Sequence, residues 1–281
     1  MNWPEPSLAT THLGEIEYRD VGDGDPIVFL HLVLAEASHW DKMPSLLADR
    51  YRCVFPTLPM GAHRLPARRD ADLSVDGLAR AVVELIQHLK LENVTIVGND
   101  SGGAISQVIA ANYPEHISRV VLTNCDMYDD FPPKLFAYFN LLPHIPGGLK
   151  LAGHMLKMRA FWGLPFVFGR LTNLVDPIKI DRWADALLAD VQVREDARKV
   201  LLGFGPDVTN HAASQLRHTE LPILVAWGED DRAFKPALAK RFVAEVPSAD
   251  LIWIENCQTL VCWDQPEKLA ELVKDFIDIS S

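Results

Sequence analysis

The sequence predicts an α/β fold built on a mostly parallel sheet, because short apolar strands alternate with amphipathic helices along the chain. Segments 26–31 and 93–98 are unbroken apolar and β-branched runs, as expected of parallel strands that are covered on both faces. Of the 281 residues 48% are apolar and 23% are charged, which is ordinary for a globular protein with a large core.

The remaining elements follow in order from local patterns. Segment 14–19 alternates between apolar and polar side chains, which indicates an edge strand, and further buried strands are predicted at 52–55, 119–123, 222–227 and 251–254. Helices are predicted at 40–47, 75–89, 101–113, 236–246 and 266–277, with Ser74 as an N-cap and Pro114 as a stop.

The alternation stops between residues 127 and 220, where the chain becomes helical and rich in Pro, Phe and Leu. We interpret 127–220 as a helical cap over the carboxyl ends of the strands, with residues 1–126 and 221–281 forming the core. Aromatic side chains of the cap, Trp162 among them, are predicted to line an apolar cavity.

Composition excludes several classes of function. A formal net charge of −11 argues against binding to nucleic acid or to a membrane. The first residues have no signal-peptide pattern and no apolar run is long enough to span a bilayer, so a cytoplasmic protein is expected. Phosphate-cradling and metal-ligand motifs are absent, so we expect no cofactor and no metal. Reduced thiols are expected at Cys53, Cys125, Cys257 and Cys262.

The most informative segment is 97–103, Val-Gly-Asn-Asp-Ser-Gly-Gly, which directly follows a predicted strand and directly precedes a predicted helix. Glycines two positions before and after Asp100 permit the strained, closely packed turn known as a nucleophile elbow. The plainer alternative is that Asp100 only caps the helix, since Asp is a favoured N-cap residue.

With these residues the chain resembles the α/β-hydrolase superfamily over essentially its whole length. The resemblance rests on the strand that ends at His31, the elbow, and segments 227–231 and 264–267. It implies the α/β-hydrolase fold, with a mostly parallel eight-stranded sheet, helices on both faces and a cap. The elbow usually carries Ser, and Asp100 makes this chain similar to haloalkane dehalogenases, fluoroacetate dehalogenases and epoxide hydrolases. A carboxylate is already ionised at neutral pH and needs no base before it attacks carbon.

The resemblance also implies roles for other residues. Asp231 occupies the usual position of the supporting acid, and Asp126 occupies the position that some haloalkane dehalogenases use instead. The oxyanion donors would be the backbone N–H groups of Ser101 and Val33. Epoxide hydrolases polarise the epoxide oxygen with cap tyrosines, and a good match needs two. The insertion holds Tyr128 and Tyr138, of which Tyr138 is the candidate.

The chain departs from the superfamily at the catalytic histidine, whose position falls on Thr259, and no histidine follows His218. A threonine hydroxyl is no general base near pH 7. Ser101 and Val33 also replace the Trp and Asn with which dehalogenases hold the halide, so dehalogenation is disfavoured. Histidines elsewhere that could act as the base, judged by region alone, are His39, His144, His154, His211 and His218.

Three functions remain open. The first is a small-molecule hydrolase that acts on an apolar ester, epoxide or similar electrophile, with Asp100 as nucleophile and Asp231 as supporting acid. The second is a cofactor-free lyase, isomerase or cyclase in which Asp100 is a general base, and the third is a catalytically degenerate scaffold that only binds ligand. The sequence specifies no oligomeric state.

Overall fold

The computed structural model describes residues 3–165 and 167–280. The sheet consists of β1 Ser7–Thr11, β2 Gly14–Val21, β3 Pro26–Leu30, β4 Arg52–Thr57, β5 Thr95–Asp100, β6 Arg119–Cys125, β7 Ile223–Gly228 and β8 Ala249–Ile254. The helices are α1 Pro44–Leu47, α2 Val75–His88, α3 Ser101–Asn112, α4 Gly148–Leu156, α5 Pro177–Ala189, α6 Val191–Leu202, α7 Pro206–Leu216, α8 Pro236–Glu245, α9 Val261–Asp264 and α10 Pro266–Ile279. Short 3-10 helices lie at Ala37–Trp40, Pro114–His116, Lys134–Asn140, Leu142–His144 and Arg159–Phe161.

One eight-stranded sheet has the order β1-β2-β4-β3-β5-β6-β7-β8. The pairs from β4 to β8 are parallel, and β2 joins β4 and β1 in antiparallel fashion. Every residue of β3, β5, β6 and β7 is buried, which explains why their sequences are rich in apolar residues and lack the apolar–polar alternation of an edge strand. The predicted eight-stranded α/β-hydrolase architecture is therefore confirmed.

Two local expectations differ from the structure. β1 had no predicted counterpart, because its five residues form an exposed edge hairpin with weak alternation. The helix predicted at 40–47 is divided into the 3-10 helix Ala37–Trp40 and the single turn α1, and Pro44 begins the second piece. Proline lacks the N–H that a continuous helix needs and is tolerated at a first turn.

The insertion between β6 and β7 is helical, and its parts pack differently. α7 lies along α3 of the core, whereas α4 packs on α5. Polar contacts tie α5, α6 and the loop before α5 to the core, namely Lys179 Nζ to Asp41 Oδ1 at 2.6 Å, Thr172 Oγ1 to Asp264 Oδ1 at 2.6 Å and His63 Nε2 to Asp196 Oδ2 at 3.2 Å.

All four cysteines are buried and unbridged, as free thiols. Within the described part of the chain, no helix combines the length and apolarity that crossing a bilayer requires.

Candidate active site

Asp100 lies at the turn where β5 passes into α3, in a strained backbone conformation of φ 55° and ψ −128°. Such a conformation costs a non-glycine residue about 1 to 3 kcal/mol and persists only when the surroundings impose it. Here the imposing contact is the close approach of α3 to β3. A Cβ atom on Gly102 would collide with the backbone carbonyl of Leu30. The elbow geometry is therefore built by the glycines, as predicted.

The two carboxylate oxygens of Asp100 have different surroundings. Oδ1 accepts the backbone N–H of Ser101 at 2.7 Å and the Ser101 hydroxyl at 3.0 Å. That hydroxyl in turn accepts the backbone N–H of Val33 at 2.7 Å. The second predicted oxyanion donor thus does not face the reacting position directly, because its hydrogen bond ends on the serine side chain, which passes the polarisation on to Asp100.

Burial and hydrogen bonding act on the pKa of Asp100 in opposite directions. Desolvation by burial raises the pKa, and the backbone and hydroxyl donors of Ser101 lower it. Desolvation is the larger effect, so the pKa of this carboxyl lies above its ordinary value. Asp100 is consequently a stronger base than a solvated aspartate.

Asp100 forms part of the wall of a cavity of about 400 Å³ between the core and the insertion. It is the only carboxylate among the described residues that line the cavity, and the predicted residues Val33 and Tyr138 also line it. The other lining residues are apolar or aromatic: Leu32, Leu34, Phe136, Phe139, Leu142, Leu151, Ala152, Met155, Leu156, Val167, Phe168, Leu171, Ile180 and Trp183. Asp100 thus lines a largely apolar cavity and accepts the backbone N–H of Ser101 in the elbow, as expected from the sequence.

Trp162, predicted as a cavity residue, is not among the described lining residues. Its indole N–H donates to the Leu156 carbonyl at 2.7 Å, and Arg159 lies over its ring. Tyr128, the other tyrosine of the insertion, is buried away from the described cavity lining, with Arg241 over its ring and Phe242 beside it. The sequence alone does not distinguish aromatic residues packed inside the insertion from those that line the cavity, because both environments favour apolar side chains.

Asp231 lies beside Thr259, as predicted, and both are buried. Its Oδ2 accepts the Thr259 hydroxyl at 2.9 Å and the Asn124 amide at 2.6 Å, and Oδ1 accepts the N–H groups of Ala233 and Phe234. Desolvation outweighs these four donors and raises the pKa of Asp231 to about 7. Asn124 was not predicted from the sequence. Its amide and the Thr259 hydroxyl both donate to Oδ2 of Asp231, the acid that would orient a histidine in the superfamily.

Asp126 follows β6 and is also buried, and its Oδ1 has no hydrogen-bond partner among the described residues. Burial, followed by the nearby charge of Asp100, raises the pKa of Asp126 well above its usual value. Asp126 is therefore harder to ionise than a solvated aspartate, and it is not part of the described cavity lining.

His39 is the one buried residue among the five histidines considered as a base; the other four are His144, His154, His211 and His218, all exposed. His39 Nε2 lies 3.0 Å from the Asn99 side-chain oxygen and 3.3 Å from Cys262 Sγ. Burial, and then the charge of Lys179, lowers the pKa of His39 well below its usual value. None of the five is among the described residues of the cavity wall.

His31 joins the end of β3 to the loop after β4. Its Nε2 accepts the backbone N–H of Leu58, and its Nδ1 faces the Leu32 carbonyl at 2.8 Å. Over residues 3–165 and 167–280, no group of three or more His, Cys, Asp or Glu side chains is arranged to hold a metal ion.

Comparisons with known proteins identify the family of the chain and the relatives that share its fold. A family model described as the alpha/beta hydrolase fold matches residues 25–266. Haloalkane dehalogenase 2 of Mycobacterium tuberculosis is 26% identical over 276 residues, which cover 92% of this chain and 90% of that protein. The cis-3-alkyl-4-alkyloxetan-2-one decarboxylase of Shewanella oneidensis is 22% identical over 279 residues, covering 94% and 85%.

The solved structure of the epoxide hydrolase CorEH superposes with a TM-score of 0.80 at 18% identity and covers 99% of both chains. This likeness concerns the fold, whereas the family match extends over most of the sequence. Together with the sheet order and the glycine-built turn at Asp100, that match shows that the chain belongs to the α/β-hydrolase fold family.

Proposed function

We propose that this protein is a small-molecule hydrolase that attacks an apolar ester, epoxide or similar electrophile with the carboxylate of Asp100. The observation that carries the proposal is the difference in hydrogen bonding between the two carboxylate oxygens of Asp100. Oδ1 is occupied by two donors of Ser101, and this leaves Oδ2 for an electrophile in the apolar cavity.

In the first step Oδ2 bonds to the electrophilic carbon, and the carbon–oxygen bond to the leaving oxygen breaks, so that this oxygen keeps the bonding electrons and takes a proton from solvent. Attack at an alkyl carbon, as in an epoxide, gives an ester of Asp100, and attack at the acyl carbon of an ester substrate gives a mixed anhydride. In the second step water adds to the carboxyl carbon, and Oδ1 takes up negative charge where the Ser101 N–H and hydroxyl already point. The bond from the carboxyl carbon to Oδ2 then breaks, which releases the product as an alcohol or acid and leaves the carboxylate of Asp100. Asp231 is the supporting acid of this proposal, because it holds Thr259 and Asn124. The backbone carbonyls of these two residues accept the amide of Asn99, next to Asp100.

The second step lacks a base for the attacking water, because Thr259 occupies the histidine position and is fully buried against Asp231. The loss of such a base costs about 10²- to 10⁴-fold in rate. We therefore expect the ester of Asp100 to form faster than it is hydrolysed and to accumulate.

A second candidate function is supported by the lack of a histidine at position 259 and by the raised pKa of Asp100. In a cofactor-free lyase, isomerase or cyclase the carboxylate takes a proton from the substrate and returns it, so no activated water is required. The related decarboxylase of Shewanella oneidensis acts, by its name, on an oxetan-2-one, which is an apolar cyclic ester with alkyl substituents.

The test is intact-mass spectrometry and product analysis after incubation with aryl esters, styrene oxide and an alkyl-substituted oxetan-2-one. Asp100→Asn keeps the shape of the side chain and removes its charge. Asp130→Asn is the matched control, since Asp130 is similarly buried and is not a described cavity residue.

An adduct on wild-type protein and on Asp130→Asn, absent from Asp100→Asn, is the expected result. Turnover without an adduct that also depends on Asp100 would favour the general base. If Asp100→Asn retains full turnover, the chemistry lies elsewhere, and if no variant reacts while the ligands still bind, the scaffold only binds.

A further inference from the structure

The insertion carries an unusual distribution of charge. Residues 131–175, which we call the roof segment, contain no Asp or Glu and five Lys or Arg, namely Lys134, Lys150, Lys157, Arg159 and Arg170. The other 236 residues hold all 38 acidic side chains and 22 basic ones, a formal charge of −16. The whole-chain charge of −11 therefore conceals one basic segment on an acidic protein.

The roof segment also carries several exposed large apolar side chains. Large apolar side chains there are between 44% and 59% exposed, at Leu141, Ile145, Leu151, Met158 and Leu174. Isolated exposed apolar residues are common on proteins, but a concentration in one segment marks an interaction surface.

The basic side chains of the roof segment differ in whether they form ion pairs with acidic residues. Lys157 and Arg159 form ion pairs with Asp181, and Lys157 with Asp185, on α5. Lys134 and Lys150 are exposed and form no ion pair with any residue in 3–165 or 167–280. They place positive charge on the same segment as the exposed leucine and isoleucine side chains.

The same surface is continuous with the cavity. Tyr138 and Leu151 are exposed to solvent and also line the cavity that contains Asp100. An apolar compound could pass from an apolar phase outside the roof segment to Asp100 without crossing a charged wall.

We infer that the roof segment docks on an anionic lipid bilayer, with its basic side chains on the lipid headgroups and its exposed apolar side chains in the interface. Lysines near an anionic surface and apolar side chains at the headgroup boundary are the two contributions that hold peripheral proteins on membranes. The acidic remainder of the protein is repelled by the same surface, so it fixes the orientation with the cavity mouth toward the lipid.

The test is co-sedimentation with vesicles of phosphatidylglycerol and phosphatidylcholine, and with vesicles of phosphatidylcholine alone. The wild-type protein is expected to bind only the former, and less tightly as salt is raised. Lys134→Glu with Lys150→Glu should weaken binding by about 30-fold or more, since each lysine near such a surface contributes roughly fivefold. Leu141→Ser with Ile145→Ser should weaken it by about tenfold.

Matched control variants make the same kinds of substitution outside the roof segment. Arg69→Glu with Lys235→Glu alters the net charge equally at other exposed positions, and Ile252→Ser with Ile279→Ser removes exposed apolar side chains outside the roof segment. Both control pairs should bind as the wild type does. Asp100→Asn should also bind normally, so failure of the proposed chemistry would leave this result untouched.

Equal loss of binding in the charge control, or no binding of the wild type to anionic vesicles, overturns the inference. Size-exclusion chromatography of the same variants adds a further outcome. In that outcome the wild type forms a dimer and fails to bind vesicles, and only the double variant Lys134→Glu with Lys150→Glu dissociates the dimer. This result would assign the surface to a second copy of the chain instead.

Discussion

At the scale of single residues, the Ser101 side chain links the two loops that meet at the candidate active site. Its hydroxyl accepts the Val33 N–H and donates to Asp100 Oδ1, so it has one donor partner and one acceptor partner. Without it a buried backbone N–H of the loop after β3 would lose its acceptor. An unsatisfied buried donor of this kind costs about 1 to 3 kcal/mol.

Ser101→Ala is therefore expected to lower the free energy of unfolding by about 1 to 3 kcal/mol. It should also raise the pKa of Asp100 further, because one of the two donors that oppose desolvation is gone. The pH profile of any Asp100-dependent reaction should shift to higher pH, which initial rates from pH 4 to 9 would measure. Ser106→Ala is the control, since that hydroxyl bonds the Gly102 carbonyl on the same helix and does not contact Asp100. Equal pH profiles for the two variants would contradict the role given to Ser101.

How far the sequence predicts these residues depends on what fixes each one. The position of Asp100 follows from glycines and flanking elements, and the meeting of Asp231 with Thr259 follows from the convergence of loops after neighbouring strands. The Ser101 hydroxyl bond and the placement of Trp162 depend on side-chain rotamers and on the path of nearby loops, which local sequence patterns do not specify.

At the scale of elements, the insertion is divided between parts attached to the core and the roof segment over the cavity. The sequence predicted the insertion from its loss of strands. It could not show that α7 packs on α3, because an amphipathic helix has the same pattern whichever surface covers its apolar face. α6 is attached through Asp196, which accepts His63 Nε2, the Ala67 N–H and the Gln192 amide while fully buried.

Asp196→Ala should consequently destabilise the protein by about 3 kcal/mol, because it leaves buried donors on both the core loop and α6 without an acceptor. Urea unfolding followed by circular dichroism measures this loss. Glu195→Ala, next to it on α6, removes a partly exposed carboxylate paired with Arg198 and should change the free energy of unfolding by no more than about 0.5 kcal/mol. Similar losses for both variants would mean that Asp196 does not anchor α6.

At the scale of the whole molecule, buried ionisable groups bias stability in opposite directions as pH changes. Burial lowers the pKa of His31 to about 4, so the folded state holds it neutral. Stability from this group is present above the unfolded histidine pKa of ~6.5 and is lost as pH falls from there toward 4. Asp231 acts in the other direction, because the folded state raises its pKa and so binds a proton that the unfolded state releases.

The contribution of Asp231 can be isolated with Asp231→Asn, which does not titrate. Between the ordinary pKa of Asp and a folded pKa of about 7, wild-type stability should fall relative to the variant as pH rises. At about 1.4 kcal/mol per pKa unit, the fall is about 4 kcal/mol between pH 4 and pH 7. The amide of the variant faces the donors of Asn124 and Thr259 unfavourably, but that cost is the same at every pH and does not affect the slope.

Other groups, His31 included, cancel in the difference between the two proteins as long as they do not contact residue 231. Urea unfolding of both proteins at half-unit pH steps gives the difference directly. A flat or rising difference would mean that the four hydrogen bonds outweigh burial, leaving Asp231 ionised throughout this range.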